Sequence, residues 1–114
     1  MTPCELLICA EDAMVNSYSP YSGFSVGAAL ITAGGRVYKG CNIENSAFSP
    51  TICAERTAFF KAISEGENDF EAIAIVGKYK NGEYKHLCYP CGVCRQVMKE
   101  FCGGDFKIIL GDGK

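Results

Sequence analysis

Apolar residues first recur at helical spacing near the start of the chain, where Leu6, Ala10 and Met14 fall on one face. Thr2-Pro3-Cys4-Glu5 stands just before them. Thr2 is placed to cap, Pro3 suits the first helical position and Glu5 completes a capping box, so a helix is predicted to about Asn16. Ser17 to Gly23 (SYSPYSG) is dense in turn formers and reads as a loop. Phe24 to Thr32 is strand-like, Gly34-Gly35 marks a hairpin, and Arg36 to Asn42 is the return strand. Ser49-Pro50 repeats the cap-plus-proline opening and predicts a helix through Cys53 to Glu65, stopped at Gly66. Phe70 to Val76 is almost wholly apolar, as in a strand buried on both faces. Lys78 to Lys85 is a polar excursion around Asn81-Gly82. Pro90 leads a third helix from Cys91 to about Phe101, stopped by Gly103-Gly104, and Phe106 to Leu110 is a last strand. Alternating strands and helices, with no internal repeat or linker-like stretch, predict an α/β sandwich. With 114 residues, one domain spanning 1–114 is expected.

Composition narrows the class. Lys plus Arg is 11 against 13 Asp plus Glu, a formal net charge of −2, and no block of basic residues is present to grip a phosphate backbone; no nucleic-acid partner is expected. No apolar run approaches the roughly 20 residues of a membrane-spanning helix, so no membrane partner is expected either. The eight cysteines are the outlier: Cys4, Cys9, Cys41, Cys53, Cys88, Cys91, Cys94 and Cys102. The opening residues lack the cationic, apolar and small-residue order of a signal peptide. Several of the cysteines also sit inside helix-like or strand-like segments. The reading is therefore a reduced, cytoplasmic chain with a metal site rather than a disulfide scaffold.

Two segments carry the chemistry. Cys53-Ala54-Glu55-Arg56 and Pro90-Cys91-Gly92-Val93-Cys94-Arg95 each fall at the expected start of a helix. Cys91 and Cys94, three apart, share one helix face and can point at one ion. Cys53 adds a third thiolate, and Glu55 a carboxylate two residues on. Soft thiolates select zinc. Three protein ligands leave the fourth tetrahedral position to water, which distinguishes a catalytic zinc site from a closed structural one. Helix N-termini lower thiol pKa values, and Arg56, three residues after Cys53, can reach that sulfur and offset negative charge from outside the ligand shell. Arg95, four after Cys91, could act likewise. Taken alone, each piece has a plainer reading: a Cys-x-x-Cys structural clip or redox pair, a first-turn carboxylate, a solvated arginine, an exposed His86. Jointly, Cys-x-Glu and Pro-Cys-x-x-Cys form the three-cysteine version of the zinc nucleobase deaminase signature.

With these motifs in place, the sequence closely resembles the small, homotetrameric, three-cysteine cytidine deaminases. The matching stretches are Pro20 to Ala29 (PYSGFSVGAA), Gly40 to Asn45 (GCNIEN), Cys53 to Ala58 (CAERTA), Phe60 to Gly66 (FKAISEG) and Pro90 to Val97 (PCGVCRQV). The resemblance implies a three-layer sandwich with a mixed, roughly five-stranded sheet and helices on both faces. It implies one Zn²⁺ per subunit and four subunits with shared active sites. The activity implied is hydrolytic deamination of cytidine and 2′-deoxycytidine, as in pyrimidine salvage. By the resemblance, Cys53, Cys91 and Cys94 would be the zinc ligands and Glu55 the proton shuttle. Asn42 and Glu44 would hydrogen-bond the ribose hydroxyls, Phe24 would pack on the pyrimidine ring, and the backbone of Ala54 would help read the base edge. The chain departs from the family at Phe48, where tyrosine is usual, and at Ser46, where alanine is common. The family also continues past the position of Lys114 with a segment whose aromatic residue reaches a neighbour's site.

Overall fold

Thr2 closes the first turn as a reciprocal capping box. Its Oγ1 accepts from the Glu5 N–H at 3.2 Å, and its own N–H donates to Glu5 Oε1 at 2.9 Å. The helix so started, α1, runs Pro3–Ala13 and tightens into a 3₁₀ turn over Met14–Asn16. The computed structural model describes residues 2–47, 51–79, 84–85 and 92–111, with 84–85 described by backbone alone.

Among the described residues, five strands form one mixed sheet: β1 (Phe24–Thr32), β2 (Val37–Cys41), β3 (Phe70–Tyr79), β4 (Tyr84–Lys85) and β5 (Lys107–Gly111). β1 pairs antiparallel with β2 on one side and with β3 on the other. The far edge of β3 is shared. β5 lies parallel to it along Ala72 to Val76, and β4 antiparallel at Gly77 and Lys78. A parallel partner requires a crossover, and helix α3 (Gly92–Phe101) lies in the connection between β3 and β5.

Alternation along the strands builds a layer on each face. Ala28 and Leu30 of β1 and Ile73 and Ile75 of β3 pack with Cys94 and Met98 of α3 and with Ala54, Ala58, Phe59 and Ala62 of helix α2 (Ala54–Ser64). Ala29, Ile31, Ala72, Ala74 and Val76 turn the other way, onto Leu6, Leu7 and Ala10 of α1. The expected three-layer sandwich is present. Phe59 anchors the α2 layer, with its ring edge-on to Phe70 at a centroid distance of 5.1 Å. Burying such a side chain contributes roughly 2–3 kcal/mol.

The structure corrects some boundaries. α2 begins at Ala54, later than the Ser49-Pro50 signal predicts; Ser49 and Pro50 lie outside the described residues, as do Phe48, Asn81-Gly82, His86, Cys88, Pro90 and Cys91. The reason is tertiary. Ile52 exchanges both backbone hydrogen bonds with Ile43, at 3.0 and 2.9 Å, which holds the chain extended up to Cys53. β3 continues past Val76 to Tyr79 because β1 pairs along it to the register Phe24↔Tyr79. β2 starts at Val37 rather than Arg36, and β5 is shifted by one residue.

Two glycines let the layers close. A Cβ on Gly27 would overlap the Ala10 carbonyl oxygen and come within 2.8 Å of Met14 Cγ, so α1 lies against bare backbone there. A Cβ on Gly40 would overlap the Ala54 carbonyl oxygen and come within 2.5 Å of the Ala58 nitrogen. Overpacking of this kind costs typically 1–3 kcal/mol. Gly27→Ala and Gly40→Ala are expected to lower unfolding free energy by about 3 kcal/mol each in urea titrations, with Gly103→Ala, which meets nothing within 4 Å, changing it by less than about 0.5 kcal/mol. Equal stability in all three would contradict the close approach.

Candidate active site

The first turn of α2 carries the centre of the site. Cys53 is its N-cap, in extended conformation (φ −79°, ψ 155°), and spends no side-chain hydrogen bond on capping. Ala54 and Glu55 follow as the first two helical residues. Both are buried: Ala54 fully, against β2, and Glu55 at 4% exposure. Cys94, on the first turn of α3, is fully buried in the same core.

These side chains act on one another. Burial pushes the Glu55 carboxyl up to about 7. Its own backbone N–H opposes the shift, nearby Cys53 adds to it, and a hydrogen bond with Cys94 and the Arg56 charge pull it back. Arg56 Nη2 lies 3.6 Å from Cys53 Sγ and 3.4 Å from the Thr51 carbonyl oxygen. Hydrogen bonding to Cys53 raises the guanidinium's pKa further, and interaction with Cys94 adds to this. Arg56 Nε is buried with no hydrogen-bond partner among the described residues. Arg95 by contrast is exposed on α3, beside Lys99 and Cys102.

This donor set fits zinc. Two thiols from separate helix starts converge on one guanidinium, and sulfur is a soft ligand. The expected third ligand, Cys91, lies outside the described residues. Among those residues no trio of His, Cys, Asp or Glu is arranged to hold a metal. The six described cysteines are not joined to one another by disulfides.

A second group of polar residues lies around the start of β1. Asn42 Oδ1 accepts from the Val26 N–H at 2.9 Å, and its Nδ2 donates to the Phe24 carbonyl oxygen at 2.9 Å. One amide proton and one lone pair remain on that side chain. The Phe24 ring is half-buried and tilted against Tyr79, centroids 4.7 Å apart. Glu44 Oε1 accepts from the Tyr21 and Ser22 N–H groups at 3.0 and 3.1 Å, and Oε2 accepts from the Ser22 hydroxyl. Partial burial alone would raise the Glu44 carboxyl, but these three hydrogen bonds hold it below its ordinary value. The Ile43–Ile52 bridge and a parallel bridge between Ile43 and Tyr18 tie this loop both to the lead-in of α2 and to the turn at 17–23. Ser22 lies in the Pro20 to Ala29 stretch that carries the resemblance, which assigns it no role. Its partner Glu44 is 22 residues away, and no local pattern marks the pairing.

A three-layer α/β sandwich with thiols and a buried carboxyl at the starts of two helices has the architecture of a deaminase-like hydrolase. Residues 2–110 match the family model described as "Cytidine and deoxycytidylate deaminase zinc-binding region". The chain is 49% identical to a cytidine deaminase of Sporosarcina psychrophila over 106 residues, covering 93% of this chain and 74% of that one. It is 50% identical to a cytidine deaminase of Halalkalibacterium halodurans over 103 residues, covering 90% and 74%. The crystal structure of cytidine deaminase from Burkholderia pseudomallei superposes with a TM-score of 0.87 at 42% identity, covering 98% of this chain and 86% of that one. The chain belongs to the cytidine and deoxycytidylate deaminase family, and zinc is the metal of that family's matched region.

Glu55 sets a pH signature for the metal-free fold. A carboxyl raised from an ordinary 4.5 to about 7 binds its proton more tightly folded than unfolded. Its contribution is fully present below pH 4.5 and is lost as pH rises through about 7. In the presence of chelator, the wild type is expected to lose roughly 3 kcal/mol relative to Glu55→Gln across that window. Parallel stability curves for the two proteins, measured by urea unfolding at each pH, would contradict the burial of this carboxyl.

Proposed function

We propose that this chain catalyses the zinc-dependent hydrolytic deamination of cytidine and 2′-deoxycytidine to uridine and 2′-deoxyuridine, releasing ammonia, in pyrimidine salvage. The observation that carries the proposal is the buried Glu55 carboxyl beside the thiols of Cys53 and Cys94, in a chain of this family. Cys53, Cys91 and Cys94 would hold the metal. When bound, zinc supplies a water whose pKa is lowered from about 16 toward about 7.

Glu55 performs the proton work. Its carboxylate would take a proton from the attacking water and deliver it to N3 of the cytosine ring, which makes C4 electrophilic. The water oxygen bonds to C4 and becomes O4 of the product. Glu55 then takes the proton of the new C4 hydroxyl and passes it to the 4-amino group, so the C4–N4 bond breaks, ammonia leaves and the C4=O4 carbonyl forms. A carboxyl positioned beside both the water and the base can serve in both directions of transfer. Arg56 offsets the charge of the thiolates from behind Cys53. The Phe24 ring packs on the pyrimidine, the Ala54 backbone reads the base edge, and Asn42 and Glu44 receive the sugar hydroxyls.

The whole chain acts as one catalytic domain on a small nucleoside, without nucleic acid or membrane. No helix among the described residues is long and apolar enough to cross a membrane. Four copies sharing their active sites form the working assembly. The exposure of Val15, Tyr18, Tyr21 and Phe60 in a single copy supports association. A cytoplasmic location accords with the six described cysteines not being joined to one another by disulfides.

Glu55→Gln is expected to retain stoichiometric zinc while turnover falls by about 10²–10⁴. Cytidine absorbance reads the turnover and elemental analysis the metal. Near-normal turnover in the zinc-loaded variant would overturn the mechanism.

A further inference from the structure

Ser22 sits where the two halves of the proposed substrate site meet. Its Oγ accepts the Phe24 backbone N–H at 3.1 Å and donates to Glu44 Oε2. The Phe24 carbonyl oxygen is taken by Asn42 Nδ2 at 2.9 Å. The peptide groups of Phe24 are thus held on one side by Asn42 and on the other by a hydroxyl that is itself bonded to Glu44. One side-chain oxygen connects the residue assigned to the base with a residue assigned to the sugar.

The hydrogen-bond inventory of Glu44 gives this link a consequence. An ionised carboxylate offers about four acceptor positions. Two on Oε1 are filled by the Tyr21 and Ser22 N–H groups, and one on Oε2 by the Ser22 hydroxyl. Among the described residues nothing else reaches this carboxylate, which leaves a single position on Oε2 for a ligand. Because Ser22 grips the same oxygen, it fixes the direction of that remaining lone pair.

We propose that Ser22 is a positioning residue for nucleoside recognition: it orients Glu44 Oε2 to accept one sugar hydroxyl and sets that acceptor relative to the Phe24 ring. The proposal rests on the reading of function above. Glu44 has no further acceptor for a second hydroxyl, so discrimination at this carboxylate depends on one donor. Losing the Ser22 hydroxyl frees Oε2 to rotate and be hydrated, so the sugar contact weakens while proton transfer at Glu55 is untouched.

The test compares cytidine with 2′,3′-dideoxycytidine, which lacks the 2′- and 3′-hydroxyl donors and keeps the 5′-hydroxyl. Ser22→Ala should lower kcat/KM for cytidine three- to tenfold, with the loss in KM, and should leave kcat/KM for the dideoxy analogue within twofold of wild type. Ser22→Thr, which keeps a hydroxyl, should restore cytidine to within twofold. In a Glu44→Gln background the Ser22→Ala effect should vanish, because the two act as one unit. If Ser22→Ala does not fold, Ser22→Cys carries the same comparison with a weaker donor. An equal loss on both nucleosides indicates general disturbance of the loop and overturns the proposal. So does no loss on cytidine in an otherwise active protein. Failure of the wild type to deaminate cytidine would instead remove the underlying reading of function.

Discussion

Gly40 has no side chain, and the first turn of α2 occupies the space. The Ala54 carbonyl and the Ala58 nitrogen lie so close to β2 that any Cβ there would collide with them. The geometry of the site depends on this close approach. It buries Ala54 and Glu55 against the sheet while Cys53, one residue earlier, remains at the helix start with its thiol unspent. A carboxyl forced so deep into a core holds its proton near neutrality, and the Arg56 guanidinium lies against the Cys53 sulfur. Packing at one glycine thereby sets the protonation chemistry at the next element.

The polar residues around β1 obey a different constraint. Asn42 and Glu44 do not wait unpaired for a ligand: most of their hydrogen-bonding capacity is used on backbone and on Ser22. That use holds them rigid, and it leaves each with few remaining positions. Pre-ordering of this sort reduces the entropy lost on binding, and it makes selectivity depend on which donors and acceptors are still open. The Ile43–Ile52 bridge links this polar group to the α2 turn, so movement of one loop would disturb both halves of the site.

Much of this is legible in the residues. Gly34-Gly35 and the apolar run before it place β1 at Phe24 to Thr32, as observed, and Thr2 with Glu5 places α1. Spacing and motif single out Cys53, Glu55, Arg56 and Cys94, and the fold brings them together. The start of α2 is not legible, because the force against an earlier helix is a bridge to Ile43, nine residues upstream of Ile52, which no local propensity encodes. The extension of β3 to Tyr79 likewise reflects pairing with β1 rather than its own polar residues. The pairing of Ser22 with Glu44 is not legible for the same reason: a serine in a turn looks the same whether or not a distant carboxylate needs it.

The proposed chemistry requires a zinc ion held by three sulfurs from two stretches of chain, with one position open to solvent beside an acid. X-ray absorption at the zinc edge of the isolated protein measures this directly. Three sulfur neighbours at about 2.3 Å and one lighter oxygen neighbour at about 2.0 Å are expected. A shell of four sulfurs would mean a closed structural centre, and fewer than three would remove a ligand; either result would contradict the catalytic centre.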